Sequence, residues 1–119
     1  MAAHGVKFEE LSDYDQGWVV GLLEGEGSFS SKNGNRRRRR VEMGSSDLDV
    51  MEKYRTLVSP HRVIRTYQPK GERVEGGAYK PSHRLVIYGD EAERLMKDMY
   101  PYLSAHRQSQ IDEALSRGS

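Results

Sequence analysis

Glu24 and Glu26 stand one residue apart in Trp18-Val19-Val20-Gly21-Leu22-Leu23-Glu24-Gly25-Glu26-Gly27, where an apolar helix should be ending. Carboxylates in the last turn of a helix meet the partial negative charge of its free carbonyls, so a purely structural ending would carry Lys or Arg. Two copies of such a helix packed side by side would bring their Glu26 carboxylates together, where each raises the pKa of the other. A hard cation such as Mg²⁺, held by one or two carboxylates plus phosphate oxygens, offsets both penalties. Beside a scissile phosphate, such ions stabilise the attacking and leaving oxygens. The chemistry that fits is metal-dependent hydrolysis of a phosphodiester. The plainer alternative is a helix closed by Gly27 at the C′ position, with both glutamates solvated.

A second group of residues points to the same kind of ligand. The chain carries 19 Lys and Arg against 18 Asp and Glu, and five of its arginines run without a break from Arg36 to Arg40. The other 14 basic residues are outnumbered by the 18 acidic ones, so the chain is mildly acidic with one basic stripe. A local stripe favours a directed contact with an anion; the competing reading is a solvated charge run in a loop. Ser28, Ser30, Lys32, Arg36, Arg38, Arg40 and Glu42 share one parity, and Phe29, Val41 and Met43 the other. In a hairpin this leaves one face apolar and the other rich in hydrogen-bond donors. A two-stranded ribbon of that kind fits the DNA major groove, where Arg and Lys read guanine edges. Arg37 and Arg39 lie on the other face near the turn and are expected on phosphates.

The elements that position these groups follow from periodicity. Ser12 to Asp15 forms a capping box, and a helix is expected from there to about Glu26. Trp18 with Leu22, and Val19 with Leu23, give it an apolar face. Gly17, Gly21 and Gly25 recur every four residues, which reads as a bare stripe for a second backbone or else as a frayed helix. The hairpin follows, with a three-residue loop at Asn33-Gly34-Asn35 that pairs Lys32 with Arg36 and Ser28 with Arg40. A second helix begins at Ser46 or Asp47 and ends before Pro60; a third strand is expected over 63–68 and a fourth over 82–88. A third helix runs from Asp90 to Pro101, and a last one from about Ser104 to Leu115. The order is α-β-β-α-β-β-α-α, an α+β fold in which helices cover one face of a four-stranded antiparallel sheet. Arg65, Tyr67 and Arg84 lie on strands three and four and extend the donor-rich face if they point that way; surface solubility is the other reading.

Length and composition bound the rest. At 119 residues the chain has room for one domain, with a structured core over about 13–115. It has no cysteine, so disulfide frameworks and thiolate metal sites are excluded and an intracellular setting is expected. The opening residues contain no long apolar run, and no membrane contact is expected. His4, His61, His83 and His106 are scattered without metal-ligand spacing. Gly25-Glu26-Gly27-Ser28-Phe29-Ser30 looks like a kinase Gly-rich loop, but it follows a helix, and so short a chain cannot hold the other kinase parts.

The stretch Val19 to Gly27, followed by Ser28-Phe29, resembles the motif of the LAGLIDADG homing endonucleases, in which a helix ends in an acidic-small-acidic-Gly run and passes into a DNA-reading strand. The resemblance extends from about Asp13 to Leu115 and includes the order of elements and Pro101-Tyr102-Leu103. It implies that Glu26 binds the catalytic metal, Mg²⁺, and that Gly25 assists through its carbonyl. One motif per chain implies a homodimer, with Gly17, Gly21, Trp18 and Val20 at the interface, acting on a pseudo-palindromic double-stranded DNA site. Two positions depart from the family pattern: the motif acid is Glu rather than Asp, and His106, followed by Arg107, stands where a Lys is usual. His106 or Arg107 is then expected to support the reacting phosphate. The expected activity is sequence-specific DNA cleavage. The alternatives are a DNA-binding regulator that has lost cleavage and an RNA-binding splicing helper of the same fold. The usual context of such proteins is a mobile element (an intron, an intein or a free-standing gene, in a phage or organelle among others), and a short chain that begins with Met points away from an intein.

Overall fold

The computed structural model describes residues 7–31, 39–69 and 80–116. In chain order these form a 3₁₀ turn (Phe8–Glu10), α1 (Asp13–Glu26), β1 (Gly27–Ser31), β2 (Arg39–Ser45), α2 (Leu48–Val58), β3 (Arg65–Tyr67), β4 (Ser82–Tyr88), α3 (Gly89–Met99), a second 3₁₀ turn (Tyr100–Tyr102) and α4 (Ala105–Ser116). The expected α+β architecture is present: one antiparallel sheet in the order β1-β2-β4-β3, with the two longest strands at its centre.

Local chemistry sets the ends of the elements. The Ser12 hydroxyl accepts the Asp15 N–H at 3.1 Å and starts α1. Between the two candidate caps for α2 the structure selects Asp47, whose carboxylate accepts the Val50 N–H at 3.2 Å. Gly89 opens α3 with φ 67°, a left-handed conformation that L side chains resist. At the other end of α1, Gly27 is required for a different reason. A Cβ there would lie 2.6 Å from Leu23 Cδ2 and 2.7 Å from the Leu23 carbonyl, so only glycine lets the chain turn from helix into strand at this point.

The core lies between the sheet and the helices. Phe29, Val41, Met43, Leu85 and Ile87 project from one sheet face and meet Val19 and Leu23 of α1, Met51, Tyr54 and Val58 of α2, Leu95, Met96 and Met99 of α3, and Ile111 and Ala114 of α4. Burying each large aliphatic side chain of this set is worth roughly 1.5–3 kcal/mol. Trp18, Val20 and Leu22 are half-buried at its margin, so α1 turns only Val19 and Leu23 fully inward.

Two sequence expectations are corrected here. The parity of the hairpin is as expected, but its register is displaced by two residues: Ser28 pairs with Glu42 rather than Arg40, and Ser31 pairs with Arg39. The expected register would have set Phe29 opposite Arg39 on the core face. The observed one sets Phe29 opposite Val41, an apolar cross-strand pair. The turn expected at Asn33-Gly34-Asn35 lies outside the described residues. The third strand is also shorter than the expected 63–68. It forms only over Arg65–Tyr67, because it is an edge strand that pairs with just the first three residues of β4, and Val63 before it is left 77% exposed.

Candidate nucleic-acid interface

Register fixes which side chains share the face turned away from the helices. Across β1, β2, β4 and β3 the facing rows are Ser30–Arg40–Tyr88, Ser28–Glu42–Val86, Gly44–Arg84–Arg65 and Ser82–Tyr67. All of these residues are exposed or half-buried. Arg65, Tyr67 and Arg84, whose facing the sequence left open, therefore stand on the same surface as Ser28, Ser30, Arg40 and Glu42. Lys32, Arg36 and Arg38 lie outside the described residues. Ser82, Val86 and Tyr88 escaped the sequence reading, although the alternation around Leu85 and Ile87 was signal enough to place them.

This face is mainly cationic, with one acid at its centre. Glu42 is bridged by Arg84 at 3.2 Å and Arg40 at 3.7 Å. The Nε of Arg40 is shielded from solvent and finds no acceptor among the described residues. An unpaired donor shielded in that way costs free energy, which the fold bears at the centre of this face. Tyr67 is 67% exposed beside these arginines.

Arg39 behaves unlike its neighbour. The sequence placed it on phosphate; the structure buries it at 4% exposure. Its guanidinium pairs with Glu93 of α3 and donates to the carbonyls of Ala114 at 3.1 Å and Leu115 at 2.5 Å, at the end of α4. Lys97 completes the group by donating to Glu93 at 2.8 Å, and the Glu93 carboxyl is held below its usual pKa chiefly by that lysine, with Arg39 adding to the effect. Arg39 thus closes the C-terminal end of one helix and pins it to β2.

The acidic tip of α1 reaches the rim of the open face. Glu26 is exposed, and among the described residues its carboxylate has no hydrogen-bond or ion-pair partner. It borders a groove of about 370 Å³ together with Ser28, Glu42, Gly44, Ser82 and Arg84. Glu24, two positions earlier, points elsewhere. Its two carboxylate oxygens accept the Ser104 backbone N–H at 2.7 Å and the Ser104 hydroxyl at 2.8 Å, at the start of α4. These bonds hold the Glu24 carboxyl below the ordinary glutamate value, the backbone N–H contributing most, with Arg107 and His106 adding charge attraction. Arg107 donates from Nε to the Glu24 carbonyl at 2.9 Å and from a terminal nitrogen to Gln110 at 3.1 Å. His106 is exposed and lies 3.4 Å from the Gln110 amide.

The remaining residues singled out from the sequence separate cleanly. Gly17, Gly21 and Gly25 form an exposed stripe along α1, where a Cβ would meet nothing within 4 Å. Val20 is half-buried beside it, whereas Trp18 turns toward α2, with the Lys53 ammonium 4.4 Å from its ring centre. His83 is buried on the core side with Thr66 Oγ1 at 2.9 Å, and His61 sits 3.4 Å from Glu91. His4 lies outside the described residues. Tyr100 donates its hydroxyl to Asp112 at 3.1 Å, and Tyr102 packs toward Phe8, so both serve the helix junction. Among the described residues, no three His, Cys, Asp or Glu side chains gather into a metal-binding cluster, and no helix is long and apolar enough to cross a membrane.

An open, arginine-bearing antiparallel sheet fed by a helix with an exposed acidic tip is the arrangement that the motif resemblance implied. Neither a curated protein nor a solved structure matches the chain significantly. A family model described as a LAGLIDADG-like domain matches residues 13–99, from the first residue of α1 to the last of α3. The chain therefore belongs to the LAGLIDADG family, whose members generally are DNA-binding endonucleases of the homing type.

Proposed function

We propose that this chain is a single-domain, sequence-specific DNA endonuclease that acts as a homodimer on a pseudo-palindromic duplex with Mg²⁺. The observation that carries the reading is the placement of the Glu26 carboxylate, unpartnered among the described residues, at the rim of the groove it shares with Ser28, Ser82 and Arg84. Arginines on the open face neutralise phosphates and read base edges, while α1 presents its acid to the backbone between them.

The donor chemistry suits a hard cation. Glu26 offers carboxylate oxygens, and Gly25 offers a carbonyl from the last turn of α1, where helical carbonyls lack partners within the helix. Endonucleases of this family generally use a divalent metal. Among the described residues one chain supplies a single free acid at this tip, so the partner's tip and the DNA phosphates would complete the ligand set. Bound there, Mg²⁺ would polarise the scissile phosphate and its attacking water. Glu26 would hold and orient that centre, Arg84 and Arg40 fix the duplex beside it, and His106, which stands where a Lys is usual in the family, supports the reacting phosphate.

A cleavage assay on a duplex selected from random DNA tests this. The wild type should cut in Mg²⁺. Glu26→Gln should bind with similar affinity and cut at least about 10²-fold more slowly. A wild type that binds duplex and never cuts it would instead support the regulator, which the His106 substitution favours. Tighter binding to a structured intron RNA would support the splicing helper.

A further inference from the structure

We infer that Glu24 and Arg107 are positioning residues that lock the tip of α1 onto the first turn of α4 and so aim Glu26. The inference rests on the reading of Glu26 as the acid that serves the reaction. Two adjacent helix ends of opposite polarity meet here. The carbonyl end of α1 carries partial negative charge and the amide end of α4 partial positive charge. Glu24 spans the junction in one direction, its carboxylate taking both the backbone N–H and the hydroxyl of Ser104. Arg107 spans it in the other, its guanidinium reaching back 2.9 Å to the Glu24 carbonyl. The two residues are 83 positions apart, and each satisfies a group that the other's helix leaves open. Ser104 is the hub: its carbonyl accepts the Gln108 N–H at 2.8 Å and its hydroxyl accepts the Arg107 N–H at 3.3 Å, so it caps α4 while being held by α1.

The clasp acts where glycines flank the tip on both sides. Gly25 and Gly27 flank Glu26, and Gly25 has open space around its Cα. On the strand side Gly27 is wedged against Leu23. On the helix side the only bonds to another element within two residues of Glu26 among the described residues are those of Glu24. Displacing a reacting group by 1 Å can slow a reaction about 10²-fold, so a clasp that sets the tip sets the rate. This also assigns Arg107 away from the phosphate, where the motif resemblance had placed it.

Glu24→Ala removes the carboxylate from the clasp and also weakens the α4 cap. Adding Ser104→Asp in the same chain restores a self-contained N-cap for α4 without restoring the link to α1. Three quantities are compared with wild type: melting temperature, amide hydrogen exchange at residues 25–27 in the free protein, and cutting rate at saturating DNA. The double variant should regain the wild-type melting temperature. Its tip amides should still exchange roughly tenfold faster, and its cutting should stay roughly 10–100-fold slower at unchanged DNA affinity. Tip exchange and cutting that recover together with the melting temperature would overturn the inference and reduce Glu24 to a helix cap. If the wild type cuts no duplex that it binds, the endonuclease reading fails, while the exchange data still decide whether the clasp holds the tip.

Discussion

The two motif glutamates have the same chemistry, and their surroundings divide them. Glu24 has three hydrogen bonds, from Ser104 and Arg107, at the α1–α4 junction once its own carbonyl is included, and Glu26 has none among the described residues. The bonds at Glu24 give it a pH-dependent share in stability. The folded state holds Glu24 below the ordinary value of 4.5. Its ionised form therefore stabilises the fold above 4.5, and the contribution is lost as pH falls through the lower folded value. Glu24→Gln cannot make this contribution at any pH. Melting temperatures of wild type and Glu24→Gln should differ most near neutral pH and converge as the solution is acidified below 4.5. A gap that stays constant, or widens in acid, would show that the carboxylate is not what the junction uses.

At the scale of elements, the arginine run shows how a strand sorts identical residues. Arg39 and Arg40 are neighbours in β2, and the pleat sends them to opposite faces. Arg39→Met should destabilise the fold by about 3 kcal/mol, because Glu93 would keep a half-buried charge and the end of α4 would lose its donor. Arg40→Ala should leave urea unfolding nearly unchanged. It should instead flatten the salt dependence of DNA binding by about 0.9 log units for each phosphate left without its cation. Equal destabilisation by both variants would contradict the facing. The same contrast explains what was legible in the sequence. Periodicity and parity are local, so α1, β4 and the inward set of Phe29, Val41, Met43, Leu85 and Ile87 could be read directly. A slip of two residues leaves parity untouched, so the β1–β2 register could not. It sets Phe29 opposite Val41 rather than Arg39, and Arg39 pairs instead with Glu93, Ala114 and Leu115, more than 50 positions away. The Glu24–Ser104 junction, 80 positions apart, was hidden for the same reason. Glu26, defined by its place at a helix end, was readable from its neighbours alone.

For the whole molecule the exposed face of α1 is the decisive surface. Gly17, Gly21 and Gly25 present bare backbone to solvent in a helix that also carries half-buried Val20, an arrangement that lets a second α1 approach closely. Pairing along this stripe would set two Glu26 tips side by side and join two open sheets into one longer DNA-facing surface. Gly21→Leu tests it with little ambiguity. A Cβ at this position meets nothing within 4 Å in the protomer, and leaving glycine raises helix propensity by roughly 1 kcal/mol. The single chain should therefore fold as before, with unchanged far-ultraviolet circular dichroism. A close helix pair, by contrast, has no room for an added isobutyl group on each side. Sedimentation should show wild type at twice 13.6 kDa and the variant near 13.6 kDa. The variant should also lose double-strand cutting, because its solitary tip brings one acid where the reading requires two. A variant that remains dimeric and cuts would place the interface elsewhere and remove the reason for meeting Glu26 with its twin.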